Sequence, residues 1–290
     1  MSGPIEAPLV LGGHSYISQL GNEPLAPERE QQRIVEACLN HGIRWFDTTY
    51  QPERIALGKA LDALGRRDEA TILAWSFFTD FGPTEPVGEP EPYRAGHIDV
   101  MLEQLRTDHL DGLVVVPTDD PEENRHQVEL ATAWQRSGYV RSLGVWISDP
   151  AIVDRYRDTP TFRFAVHPCN VTTDDAAAVF AACKRAGWET LATSPFVRGW
   201  GLDRLVAAAA ASGDTGDLRA VLADAMLRFA LFQPGVDRVV VAMRRSEWIA
   251  PNLASVTRGP LSARELRWLR RLQHGPGAKA PWWRRVLRQS

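Results

Sequence analysis

The sequence predicts a single α/β domain, a (β/α)8 barrel, on three observations. Eight short runs of apolar and β-branched residues recur along the chain, each is followed by a longer segment with helical spacing and charge, and glycines stand between the helices and the next strands. The 290 residues suffice for this, since one such barrel takes about 250. Hydrophobic residues at 44% and charged residues at 24% are ordinary globular usage, which excludes disorder as the dominant state.

The first strand is read at 8–12 (PLVLG), the second at 44–48 (RWFDT), the third at 71–75 (TILAW) and the fourth at 112–116 (GLVVV). The remaining four fall at 142–146 (SLGVW), 163–167 (RFAVH), 189–194 (ETLATS) and 238–242 (RVVVA). Helical patterns are read between them at 28–40, 53–64, 95–106, 121–136, 149–157, 174–185 and 218–232, with two more after the last strand at 247–255 and 263–272. Gly42, Gly138, Gly187 and Gly235 each sit where a left-handed helix C-cap is wanted. Two connections are long: the Pro/Gly/Glu-rich stretch 77–92 after the third strand, and 195–216 after the seventh, where the alanine run 207–211 reads as a short helix. Both follow strands, so both lie on the carboxyl face, where barrels build their sites.

Several function classes are excluded at this level. No apolar run approaches the ~18 residues of a membrane span, and the start MSGPIEAPLV has neither a basic nor a long apolar leader region, so a cytoplasmic protein with no membrane partner is expected. A net charge of −3 provides no field for nucleic acid. Cys38, Cys169 and Cys183 form no CxxC, and no histidine stands at metal-ligand spacing, so neither a disulfide framework nor a metal site is expected. Much of the positive charge lies between Arg264 and Arg288, and residues 273–290 read as a basic, aromatic tail that either docks a partner or membrane surface or, as its amphipathic spacing favours, packs Trp282, Trp283, Val286 and Leu287 as a helix on the barrel's outside.

Strand ends converge on one mouth, which collects His14, Asp47, Tyr50, Trp75, Ser76, Val116, Trp146, His167, Ser194 and Arg244. Asp47 and His167 are titratable groups at strand ends and are the first candidates for proton transfer. His14 follows Gly12-Gly13, where backbone either approaches a ligand closely or simply turns.

The segments HGIRWFDTTYQPERIALGKAL, LEQLRTDHLDGLVVV, SGYVRSLGVW, ATSPFVRGWGL and MLRFALFQPGVDRVVVAMRRSEWIAPNL resemble, in order and spacing, the aldo-keto reductase superfamily over nearly the whole chain. The resemblance implies the barrel and NADP(H)-dependent carbonyl reduction, in which a tyrosine protonates the carbonyl oxygen, a lysine paired with an aspartate lowers the tyrosine's pKa, and a histidine orients the substrate. The aspartate matches Asp47; the tyrosine matches Tyr50 only across a deletion, since the family's step of five positions is here three. The lysine position falls on Ser76 and the histidine position on Val116. The nicotinamide anchors of the family fall on Trp146-Ile147, His167 and Thr193, whereas the adenosine-phosphate end keeps matches at Ser194-Pro195-Phe196, Arg198, Arg244 and Asn252. With Lys59, Lys184 and Lys279 all away from strand ends, nothing supplies the missing ammonium.

These departures lead to an expected function. The barrel mouth works on a small-molecule substrate by acid–base chemistry (lyase, dehydratase, cyclase or isomerase type), with Asp47, Tyr50, His167 and His14 as its chemical groups, Trp75, Ser76, Val116 and Trp146 as pocket walls, and no required cofactor. Two alternatives stand beside it: an NADP(H)-dependent carbonyl or imine reductase with an altered proton donor, its cofactor held by Ser194, Arg198, Arg244 and Asn252, and a noncatalytic binding or partner subunit.

Overall fold

The computed structural model describes residues 6–18, 25–81, 86–159 and 161–273, with side chains omitted for 80–90; the tail helix read at the C-terminus lies outside these. Eight parallel strands close on themselves: β1 (Leu9–Leu11), β2 (Trp45–Thr48), β3 (Thr71–Trp75), β6 (Leu110–Val115), β7 (Val140–Trp146), β8 (Phe162–Pro168), β9 (Glu189–Thr193) and β10 (Arg238–Val241), with β1 paired to both β2 and β10. Around them run α1 (Glu28–Asn40), α2 (Gln51–Leu64), α3 (His97–Leu105), α4 (Pro121–Arg136), α5 (Ala151–Tyr156), α6 (Ala176–Arg185), α7 (Trp200–Ala211), α8 (Leu218–Leu231), α9 (Ile249–Arg258) and α10 (Ala263–Gln273). The barrel and its strand order are therefore as the sequence predicts, and Gly42, Gly138, Gly187 and Gly235 take the left-handed φ of 80, 83, 77 and 86°.

One connection differs from its reading. The stretch after β3 is a two-stranded antiparallel sheet, β4 (Phe77–Phe81) with β5 (Pro86–Pro92). Prolines argue against strand in a sheet interior, but a two-stranded ribbon has only edges, where a missing N–H costs little. The alanine run belongs to the longer helix α7.

Strand alternation sorts the side chains into two cores. Val10, Leu73, Val114, Phe164, Val166, Leu191 and Val240 point into the barrel with Trp45, Trp75 and Trp146 beside them, while the intervening residues pack outward against the helices. Phe164 has room inside because Gly112 and Gly144 face it from β6 and β7; a methyl on Gly144 would run into its ring, and one on Gly112 would collide with Leu73 and crowd the ring at 3.1 Å. At the floor, the Arg238 guanidinium lies 4.2 Å from the Trp45 ring centroid and donates to Glu189 at 2.8 Å and Glu6 at 2.9 Å.

Gly58 brings α2 against α3. A Cβ there would collide with the Gln104 carbonyl oxygen and lie 2.7 Å from the Leu105 carbonyl carbon, and backbone cannot rotate away as a side chain does. Gly58→Ala is expected to cost about 1–3 kcal/mol by overpacking, seen as a lower urea midpoint at an unchanged slope.

Candidate active site

The carboxyl ends of the strands carry a continuous girdle of rings. His14 meets Tyr50 (5.9 Å between centroids), Tyr50 meets Phe77 (6.2 Å), Phe77 meets Trp75 (6.3 Å), and Trp75 meets Trp146 (5.3 Å), all tilted or edge-on. Each of these rings is partly exposed, so together they form a wall with access to solvent.

Asp47 lies beneath that wall, only 6% exposed. Its Oδ1 accepts a 2.7 Å hydrogen bond from Trp75 Nε1, and its carboxyl also accepts from the Gly13 amide. Burial raises its pKa to about 6 against the opposing pull of these two donors. Trp75 shares the inward parity of Leu73, whereas Ser76, just past β3, is engaged with the neighbouring chain: its Oγ accepts from the Val116 amide at 2.8 Å and ties the end of β3 to that of β6. Thus the residue that meets Asp47 is Trp75, and Ser76, 3% exposed, is a tie between strands rather than a pocket wall.

Glu53, which the sequence reading missed, is the second carboxyl of the site and has no exposed surface. It sits in the first turn of α2, three residues past the N-cap Tyr50, and reaches back so that Oε2 accepts from the amides of Thr49 (2.6 Å) and Tyr50 (3.1 Å). The other oxygen, Oε1, lies 3.6 Å from His14 Nδ1. Burial raises the Glu53 pKa to about 8, with the Asp47 charge adding to it while the two amides and Arg54 pull the other way. Its available signal was a glutamate at the third helical position after a strand end, the pattern of an N-terminal capping carboxylate.

Two arginines bear on the same place. Burial, then Arg198, then Arg244 drive the His14 pKa down to about 3, and Arg244 Nε donates to the His14 carbonyl at 3.3 Å. Burial and the Glu53 charge raise the Tyr50 pKa while Arg198 opposes them. Arg198 lies in a loop in which Ser194, Val197 and Arg198 all adopt positive φ (56, 49 and 57°), costly for a β-branched valine and typical of a loop shaped for a site. Asn252 is half-buried in the first turn of α9.

His167 departs from its expected place. Because Phe164 and Val166 point into the barrel, His167 turns outward, 3% exposed, edge-on to Phe180 of α6 at 5.6 Å. Nδ1 lies 2.7 Å from the Ile147 carbonyl oxygen and Nε2 3.5 Å from Asp175. It is not an exposed rim group beside Asp47, and burial lowers its pKa while the Ile147 carbonyl and Asp175 act the other way. The structure brings together His14, Asp47, Tyr50, Trp75, Trp146, Arg198 and Arg244, and leaves His167 out.

Two hollows lie away from this mouth: one of about 460 Å³ at the barrel floor beside Lys184, Trp188 and Asp237, and one of about 390 Å³ by Asn124, Arg125 and Tyr156. Among the described residues no group of three metal-ligating side chains occurs, no helix is long and apolar enough to cross a membrane, and the three cysteines are buried free thiols.

Residues 8–273 match the model of the family described as "Aldo/keto reductase family". Among solved structures the chain is similar to aldo-keto reductase AKR11C1 from Bacillus halodurans (holo form), with a TM-score of 0.70 and 18% identity over 96% of this chain and 95% of that one, a likeness of fold. Among curated proteins no relative matches it.

Proposed function

The chain belongs to the aldo/keto reductase family, and on that premise we propose that its mouth performs acid–base chemistry on a small molecule in place of the tyrosine–lysine proton donation that the family resemblance implies. One observation carries this: the partner of Asp47 is the indole N–H of Trp75, where the family would put an ammonium. Among the described residues Lys59 pairs with Glu28 and Lys184 with Asp237, both away from the mouth. A buried tyrosine without a neighbouring ammonium is a poor acid at pH 7. Asp47 near 6 and Glu53 near 8 instead bracket neutrality, so one carboxyl is able to accept a proton while the other holds one.

The nicotinamide end of NADP(H) does not fit these residues. His167 is turned into the helical layer, Ile147 is fully buried, and the Trp146 ring leans on Trp75 where a small hydroxyl would make room. The proposed chemistry accordingly uses no nicotinamide. The alternative, a reductase with an altered proton donor, draws on Arg198 and Arg244, which bear on His14 as a phosphate-holding pair would.

One titration separates the two. NADPH added to the protein is expected to leave tryptophan fluorescence nearly unchanged, and no aldehyde in a broad panel should be consumed with NADPH oxidation. Submicromolar binding with steady oxidation would overturn the proposal.

A further inference from the structure

The loop Gly12-Gly13-His14 and the helix start Tyr50–Glu53 meet in a way that the capping role of Glu53 does not explain. One carboxyl oxygen satisfies two backbone amides, which is all that capping requires. The other, Oε1, is buried without a hydrogen-bond partner and faces His14 Nδ1 at 3.6 Å. His14 Nε2 is likewise buried and unpartnered. Leaving two such atoms unsatisfied is costly; Oε1 and Nδ1 stand just beyond hydrogen-bond length, and with a small approach one proton on Oε1 satisfies that facing pair and leaves Nε2 to find its partner elsewhere.

We propose that Glu53 and His14 share a single proton, held on the Glu53 carboxyl and donated to His14 Nδ1, so that the neutral imidazole, 26% exposed, keeps its other proton on the covered Nε2 and gives it to a carbonyl or carboxylate oxygen of the substrate when the ring tips toward the mouth. Glu53 is then a positioning residue, and His14 is the group that meets the substrate. This rests on the acid–base reading of the mouth and names the kind of atom that mouth receives.

The surrounding charges place the proton on the carboxyl. Burial, then the charges of Arg198 and Arg244, oppose an imidazolium. Beside Glu53 the charge of Asp47 disfavours a second negative charge, against the opposing cation Arg54. Burial acts in the same direction on both partners, against imidazolium and against carboxylate. The same two arginines that keep the imidazole neutral attract an oxygen that carries or develops negative charge, and a fixed neutral N–H donor stabilises that charge without first surrendering a proton.

The tautomer is directly measurable. In the full chain labelled with ¹⁵N, with the His14 signals assigned by their loss in His14→Gln, two-bond ¹H–¹⁵N spectra should show Nδ1 as an unprotonated imine nitrogen and Nε2 as a protonated, pyrrole-type nitrogen. This should hold through about pH 5 to 7, where a free imidazole gains its charge. Glu53→Gln should keep the pattern, because a carboxamide oxygen accepts from the Thr49 and Tyr50 amides while its N–H₂ donates to Nδ1. Glu53→Leu should lose the tautomer preference; if it fails to fold, the wild-type and glutamine spectra still decide. An imidazolium forming near pH 6.5, or a proton on Nδ1, overturns the proposal. Tight NADPH binding with the Nε2–H tautomer intact would instead remove the acid–base function and leave the pair standing.

Discussion

Gly13→Ala is expected to be among the most damaging single substitutions at the mouth, costing about 2–4 kcal/mol by adding overpacking to the loss of hydrogen bonds to a buried carboxyl. A methyl at this position would clash with Glu53 Oε2, lie 2.6 Å from Glu53 Cδ and 2.9 Å from the Asp47 carbonyl oxygen. The end of a glutamate ordinarily swings aside cheaply. Here it is held by the Thr49 and Tyr50 amides and has no solvent to move into, so either those bonds break or the β1 loop shifts. Gly12→Ala provides the control, since a Cβ there meets neighbours at 3.2–3.4 Å, tight but adjustable. Urea unfolding should show a large loss for Gly13→Ala and a small one for Gly12→Ala. Equal stability of Gly13→Ala and wild type would mean that Glu53 has room the structure does not give it.

The same glycine shows where sequence reading stops. That Gly12-Gly13 loosens a loop is visible in the residues; that its purpose is to admit a carboxyl from 40 positions away is not. The barrel itself was legible because a parallel strand buried on both faces is a short apolar run, and the helix covering it carries the complementary spacing. Strand parity was less legible. Two adjacent residues at a strand end differ in whether they reach the mouth or the helical layer, and a shift of one position exchanges their roles. This sets Trp75 rather than Ser76, on which the family's lysine position falls, against Asp47, and it took His167 out of the site altogether. Glu53 was hidden for a different reason. A glutamate in the first helical turn is so common as a cap that only its complete burial and its distance from His14 mark it as something more. The hairpin of β4 and β5 was obscured by its prolines, which signal a loop by local chemistry and are tolerated only because no further strand pairs with that ribbon among the described residues.

Stability should decline as pH rises from about 5 to about 8, and Glu53→Gln should remove much of the decline. Burial lifts Glu53 from its ordinary value near 4.5 to about 8 and Asp47 from 3.8 to about 6. Between the unfolded and folded pKa the native state therefore binds more protons than the unfolded chain, and by linkage each step up in pH favours unfolding. The contribution is fully present below pH 4, is lost progressively for Asp47 up to about pH 6 and for Glu53 up to about pH 8, and stays lost above. At 1.36 kcal/mol per pKa unit the Glu53 share has an upper bound of about 5 kcal/mol. Carboxylates with the opposite displacement, such as Glu265 held down to about 2 chiefly by its hydrogen bond from Arg228, act on the acid side, their contribution being lost as pH falls below about 4. The two sets together place maximal stability on the weakly acid side of neutrality. Glutamine at position 53 carries the uncharged form at every pH, so the variant and the wild type should unfold at similar urea concentrations near pH 5, diverge up to about pH 8 and stay apart above it, with the variant the more stable. A difference that does not change with pH, or one that reverses sign, would show Glu53 to be ionised in the native protein and would remove the proton that its pairing with His14 requires.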